Sequence, residues 1–548
     1  MIPSRALFSL ALAVAGLALV VSTSASAQGR HAIGLSAKGA RVWLEEGSFP
    51  VGPEDNARFG WAVAAGDFNA DGYDDLVVGA PFDDWLPGIS EAGSVQVRFG
   101  APAGALEVVL PVVPWDNPVD ASEAFDWYGY ALAAGDFNGD GHDDLAVGLP
   151  GNDLFDGTQL RGMGGVQLHL GMANGDGRIQ RVAQYSFSQV AGGGLPGIGN
   201  WNEYFGTALA FGDFNGDGRD DLAVGIPDDL RFCPSAACSA GAVMVIDLDA
   251  QGTVGGYLMA LGHQGLPETP AEGDQFGRAV ATGDWNGDGF DDLAIGIPGR
   301  GEESGAVLVV YGSPFSLLFA NHQLFDQGSF GDLVEAFDSF GGALAGGDFN
   351  GDGYDDLAMG APGEGVGTPD QPGAGEVIVS YGTAGGLSTV GAPWLSADGI
   401  FGSGSESGDW FGAALAAGDF DGDGVADLAI GEARESAEAG SSAGAVTVIR
   451  GSAGGLAGSP SRQLRPGVYP TGMIPGRPGE SDASASYGSA LASGDFDGNG
   501  FADLAIGAPY RTPGPALLFA GAVAVVYGQL FVDGFESADA LEWTAVAP

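Results

Sequence analysis

Asp67-Phe68-Asn69-Ala70-Asp71-Gly72-Tyr73-Asp74-Asp75 is the stretch on which the reading of this chain turns. Oxygen-bearing side chains stand at its first, third, fifth and ninth positions, and a glycine stands sixth. The pattern returns with first residues at Asp136, Asp213, Asp284, Asp348, Asp419 and Asp495, at intervals of 64 to 77 residues. Eight residues before each copy lies an aromatic followed by glycine: Phe59, Tyr128, Phe205, Phe276, Phe340, Phe411 and Tyr487. The ninth-position Asp of each copy is followed by Leu, two apolar residues and Gly, then a variable loop and a Gly-x-Val run. A constant core with loops of variable length marks a repeated structural unit.

Within a unit the apolar runs are short and rich in Val, Ile and Leu, as strands are. In the first unit they fall at Ala62-Val63-Ala64, Leu76-Val77-Val78, Val95-Gln96-Val97 and Leu106 to Leu110, with Gly and Pro at the joins. Four antiparallel strands repeated seven times predict an all-β fold, a seven-bladed β-propeller over residues 28–529. The seventh unit lacks a convincing fourth strand, while Ala40 to Leu44 supplies a spare one before the first unit. The N-terminal strand is therefore predicted to complete the last blade and close the ring.

The seven copies can be compared position by position. Six to eight hard oxygen ligands suit calcium. Asp67, Asn69, Asp71 and Asp75 supply side-chain oxygens, and Tyr73 supplies its backbone carbonyl. The same assignment gives Asp136, Asn138, Asp140, His142 and Asp144 in the second loop, and Asp213, Asn215, Asp217, Arg219 and Asp221 in the third. It gives Asp284, Asn286, Asp288, Phe290 and Asp292, then Asp348, Asn350, Asp352, Tyr354 and Asp356. The last two loops contribute Asp419, Asp421, Asp423, Val425 and Asp427, and Asp495, Asp497, Asn499, Phe501 and Asp503. Position 7 takes any side chain, as a carbonyl ligand permits. Position 8 is Asp in five copies but Ala426 and Ala502 in two, so it is not an obligatory ligand. Position 12 is Val, Ile or Met throughout, which excludes the EF-hand and its bidentate Glu. Up to seven Ca2+ ions are expected. A separate Asn174-Gly175-Asp176-Gly177 lacks the downstream Asp and reads as a turn.

These residues resemble the FG-GAP repeats of the integrin α-subunit N-terminal β-propeller. The first half of the motif is Phe59-Gly60 and its counterparts; the second is Gly79-Ala80-Pro81, with Gly431-Glu432-Ala433 as the departing sixth copy. The resemblance implies seven blades, structural calcium in the loops between the first two strands, and, less directly, extracellular binding or adhesion. Nothing in the chain resembles the inserted ligand-binding domain, leg domains or membrane span of an integrin.

Composition limits the partners. The 548 residues hold 71 acidic side chains against 19 Lys plus Arg, a formal charge of −52, which argues against nucleic acid and anionic membranes. Twenty-two of those carboxylates are assigned to the loops. Arg5, the apolar run Ala6 to Val21 and Ala25-Ser26-Ala27 read as a signal peptide over 1–27, so a secreted or cell-surface protein is expected. There a local disulfide between Cys233 and Cys238 would pin one loop. Residues 530–548 read as a short C-terminal tail, and a monomer without a membrane span is expected. The five histidines form no metal-ligand pair, so no enzyme is predicted. The favoured function is a binding or adhesion module for an extracellular protein or glycan. An envelope or matrix component, or a polysaccharide hydrolase or lyase, are the alternatives. The long loops between strands two and three, and between blades, share the face opposite the acidic loops. They carry Trp85, Trp115, Trp127, Phe155, Trp201, Trp410 and Tyr510, a candidate binding face.

Overall fold

Leu76-Val77-Val78 sits in a strand, Asp75–Ala80, that is buried on both faces. That is why its apolar residues run consecutively instead of alternating. The computed structural model describes residues 55–528, except 85–89, 103–105, 113–124, 156–159, 173–178, 180–184, 188–202, 231–237, 368–370, 402–404, 436–441, 457–460, 466–483 and 513–518. It also describes the backbone of 33–34 and 40–43.

The strands form seven antiparallel blades. Blade 1 orders Ala62–Gly66, Asp75–Ala80, Ser94–Phe99 and Glu107–Val112 from inside to outside. Blades 2 to 6 repeat this order, each with four strands. In blade 7, Ala490–Gly494, Asp503–Gly507 and Val523–Val526 lie side by side. Along the backbone Ala40–Trp43 runs antiparallel to Val523–Val526, with Ala40 opposite Val526 and Trp43 opposite Val523. The turn expected at Asn174 to Gly177 and the tail lie outside the described residues.

Each first strand touches the first strand of the next blade, and that of blade 7 touches that of blade 1. The seven converging strands are rich in small side chains, as in Ala-Leu-Ala-Ala-Gly at 131–135. Outward, each of the seven seams between blades holds its own apolar cluster. The seam between blades 1 and 2, for instance, packs Phe68, Val77, Val95 and Val97 against Tyr128, Leu145 and Val147.

The aromatic-glycine pair belongs to the seams. Phe59, Tyr128, Phe205, Phe276 and Phe340 are fully buried, and Tyr128 bridges to Gly93 at the entry to the third strand of blade 1. Gly129 follows with φ +88, and a Cβ there would stand 2.8 Å from the carbonyl oxygen of Ser94. Only glycine meets both demands, left-handed backbone and close approach.

Candidate metal centre

Each acidic loop joins the first strand of a blade to the second. It is anchored by its second residue, an aromatic with no exposed surface: Phe68, Phe137, Phe214, Trp285, Phe349, Phe420 or Phe496. Around that anchor the carboxylates are held by backbone N–H groups. In the second loop the amides of Gly139, Asp140 and Gly141 donate to Asp136 at 2.8, 3.0 and 2.8 Å. His142, at position 7, donates its amide to Asp140 Oδ1 at 3.1 Å. The third, fourth, fifth and sixth loops repeat these bonds.

Position 9 is the deepest carboxylate. Asp144 accepts from Gly171, which follows the third strand, at 2.8 Å, and Asn138 Nδ2 lies 3.3 Å from it. Gly100, Gly312, Gly382 and Gly451 make the same bond to Asp75, Asp292, Asp356 and Asp427. The loops thus share a face with the connections from strand three to strand four, as strand parity demands. Burial pushes Asp75, Asp221, Asp292 and Asp503 up to about 8, and Asp144, Asp356 and Asp427 up to about 7. Neighbouring loop carboxylates add to the rise in each case. A buried carboxylate crowded by others favours a cation beside it.

The donor set fits calcium. Asn69 Oδ1 is buried without a hydrogen-bond partner, while its Nδ2 faces Asp75 Oδ2 at 3.4 Å. The oxygen left over is the one that position 3 would offer to a cation. Asp419, Asp421 and Asp423 place oxygens within 4.8 Å of one another, as do Asp495, Asp497 and Asp503. Arginines lean on two loops: Arg450 Nε lies 2.5 Å from Asp421 and its terminal nitrogen 2.7 Å from Asp423, and Arg219 lies 3.2 Å from Asp217.

Position 8 has a role that the sequence reading left open. Asp143 Oδ2 accepts the backbone N–H of Asp67, position 1 of the preceding blade, at 2.8 Å. Asp220, Asp291 and Asp355 do the same for Asp136, Asp213 and Asp284, and Asp74 does it for Asp495 across the seam between blades 7 and 1. The return bond runs from the position-8 N–H to the position-1 carbonyl, and all seven copies make it, including Ala426 to Asp348 and Ala502 to Asp419. The residue is a clamp between successive loops. Where it is alanine, only the backbone half survives. The clamp also accounts for the Gly before a loop where position 8 of the next blade is Asp: a Cβ on Gly66 would stand 2.7 Å from Asp143 Oδ2, and one on Gly135 2.6 Å from Asp220 Oδ2.

On the opposite face Trp127 and Tyr510 are half-buried and Trp410 is 37% exposed. Trp85, Trp115 and Trp201, and the side chain of Phe155, lie outside the description. Cys238 is disulfide-bonded, while Cys233 lies outside the described residues.

The FG-GAP repeat model matches residues 59–97, 128–162, 205–246, 276–310, 340–380, 411–449 and 487–526, one match per blade. The chain is an FG-GAP repeat protein. Integrin alpha pat-2 of Caenorhabditis briggsae is 33% identical to this FG-GAP protein over 252 residues, 43% of this chain and 18% of the relative. Phosphatidylinositol-glycan-specific phospholipase D of Homo sapiens is 33% identical over 202 residues, 36% of this chain and 21% of the relative. The alignments therefore span about a fifth of these relatives' own length. Rhamnogalacturonan lyase YesW superposes at a TM-score of 0.40 with 12% identity, covering 91% of this chain and 75% of its own, too distant a likeness to bear on function. Among the described residues no helix is long and apolar enough to cross a membrane.

Proposed function

We propose that this FG-GAP protein is a calcium-stabilised binding or adhesion module that works outside the cell, with no catalytic role and with calcium structural in each blade. The observation that carries the calcium half is the position-3 oxygen of Asn69, buried and unpartnered beside the raised carboxylate of Asp75. Positions 1, 3, 5, 7 and 9 of each loop would hold the ion. Bound calcium supplies positive charge that offsets the crowding of three or four carboxylates. The protein's own part is to preset those oxygens through amide bonds and the buried aromatic anchor. The binding half rests on the integrin relatives and on the aromatic face opposite the loops. The N-terminal apolar segment supports export, and a monomer whose partner is an extracellular protein or glycan accords with it.

Calorimetric titration of the chelated protein with Ca2+, paired with thermal melts, tests the reading. Binding of several ions per chain and a large rise in melting temperature are expected. An unchanged melt on chelation would overturn the calcium assignment.

A further inference from the structure

The face opposite the metal loops is built from seven copies of one turn, and the copies are not equivalent. In each, the residue before the aromatic-glycine pair has a left-handed backbone: Arg58 at φ 55, Trp127 at 58, Tyr204 at 55, Gln275 at 60, Ser339 at 55, Trp410 at 60 and Ser486 at 50. None is Gly or Asn, the residues that adopt this conformation most readily. The turn closes by an N–H···O bond three residues on, from Trp61 to Arg58, Tyr130 to Trp127, Arg278 to Gln275 and Ser489 to Ser486 among others. Both ends of the turn therefore present side chains at the rim. Blades 1 to 4 offer Arg58 and Trp61, Trp127 and Tyr130, Tyr204 and Thr207, Gln275 and Arg278. Blades 5 and 7 offer only Ser339 and Gly342, Ser486 and Ser489. The left-handed backbone is common to all seven copies, and large side chains sit on it in blades 1 to 4 and at Trp410 of blade 6; strain kept under large side chains points to use.

The large side chains form a continuous strip. Trp61 meets Phe82 at 5.3 Å and Tyr130 at 5.4 Å between ring centres. Trp127 meets Phe82 at 6.1 Å, and Tyr204 at 6.1 Å with the two rings only 14° from parallel. At one end the Arg58 guanidinium lies 4.3 Å above Phe82 and 5.0 Å from Tyr510. At the other, a cleft of about 270 Å3 opens between Trp127, Tyr130, Tyr204, Asp228, Gln275 and Arg278. Aromatic walls with a few polar groups at the edge are the make-up of a small-molecule site.

Charge narrows the ligand. Arg219, Arg300, Arg450 and Arg465 all form ion pairs, whereas Arg58 and Arg278 form none among the described residues. Arg434 forms none either and lies over Trp410 on another blade; in a chain with 71 acidic residues, Arg278, exposed beside Asp228, and Arg58, stacked on Trp61, Phe82 and Tyr510, bring positive charge to the strip. The acidic loops lie at the far end of the first strands, roughly 15 Å away at about 3.3 Å per residue, beyond the ~8 Å Debye length of physiological salt. Their repulsion at the strip is therefore largely screened. Parallel rings suit the flat C–H faces of pyranoses, Asp228 and Gln275 suit hydroxyls, and the arginines suit carboxylates.

We propose that the strip across blades 1 to 4 binds an acidic, uronate-bearing polysaccharide, with sugar rings against Trp127 and Tyr204 and carboxylates at Arg58 and Arg278. This deepens the binding half of the proposed function and rests on it.

The test uses the full calcium-loaded chain and a hyaluronan hexasaccharide, with cellohexaose as the neutral control and polyglutamate as the acidic peptide control. Saturable binding that quenches tryptophan fluorescence is expected, with cellohexaose at least tenfold weaker. Trp127→Ala should weaken binding at least tenfold. Arg278→Gln, an exposed change that leaves the fold intact, should weaken it at least threefold while sparing the calcium-dependent rise in melting temperature. Absence of saturable binding, equal binding of cellohexaose, tighter binding of polyglutamate, or full affinity in Arg278→Gln would each overturn the inference. If the calcium-dependent melt survives while hexasaccharide binding is absent, the polysaccharide inference fails and the calcium reading stands.

Discussion

The clamp at position 8 can be tested in both directions within one molecule. Asp220→Ala removes the carboxylate that accepts the Asp136 N–H at 2.8 Å but keeps the backbone bond from residue 220 to the Asp136 carbonyl at 3.0 Å. A hydrogen bond to a charged group contributes about 1.5–3 kcal/mol. Against it stands the burial of Asp220 beside Asp291, Asp136 and Asp213, which pushes its pKa up to about 6. That group is half-buried, so solvent screening shrinks the opposing cost. With calcium neutralising the neighbouring loops, the net loss should be about 1–2 kcal/mol; at about 2.1 cal/mol/K of unfolding entropy per residue, that is a fall of roughly 1–2 °C in melting temperature. In chelator the hydrogen bond and the carboxylate repulsion nearly cancel, and the loss should shrink toward zero. The reverse change, Ala426→Asp, restores the missing half-clamp between blades 5 and 6, where the backbone bond to Asp348 is already formed at 2.9 Å. It should raise the melting temperature in calcium by about 1 °C, on the same entropy scale. Differential scanning calorimetry of wild type and both variants, with calcium and with chelator, reads all six values. A destabilised Ala426→Asp, or an Asp220→Ala loss that is as large in chelator as in calcium, would refute the reasoning.

Asp75→Asn removes the deepest carboxylate of the first loop, and should lower the calcium stoichiometry by one site and the stability in saturating calcium by about 2–3 kcal/mol, the linkage expected near a hundredfold excess over Kd; calorimetric titration and melts check both. The calcium-free protein should lose stability as pH rises. Position-9 aspartates with folded pKa values of about 7 to 8 against an ordinary 3.8 hold protons in the native state that the unfolded chain has released. Their stabilising linkage is therefore complete below pH 4 and lost progressively up to pH 8. Saturating calcium should flatten or invert that slope in melts between pH 5 and 8. Deleting residues 28–50 removes the strand that pairs with Val523–Val526, and should lower the melting temperature sharply if that strand closes the ring; an unchanged melt would show that it does not.

Much of this was readable because each feature was written seven times. Tolerance of Tyr, His, Arg, Phe and Val at position 7 is what a carbonyl ligand would permit, and in the structure the N–H of that residue donates to the position-5 carboxylate. Position 8 was harder. The partner of Asp143 is an amide 76 residues away, and nothing local in the sequence marks that contact. The glycine before the loop was the available signal, since a Cβ on Gly66 would collide with that carboxylate. Gly100, Gly171 and Gly312, which complete the position-9 site, stand at varying distances from their aspartates because the intervening loops vary in length. The left-handed turn before each aromatic was hidden for a different reason: Arg, Trp and Tyr give no hint of positive φ.

The clamp from Asp495 to Asp74 joins residues 421 apart. By the logarithmic law for loop closure, bringing such distant ends together costs about 5 kcal/mol. One seam out of seven bears that whole cost, because every other seam joins neighbours in sequence. An open solenoid can gain or lose a repeat and remain a solenoid. Here an added or missing unit would change the angle at every seam and leave the terminal blades unable to meet. The repeat count is thus fixed by geometry, and the copies differ instead in loop length and at single positions such as Ala426 and Ala502.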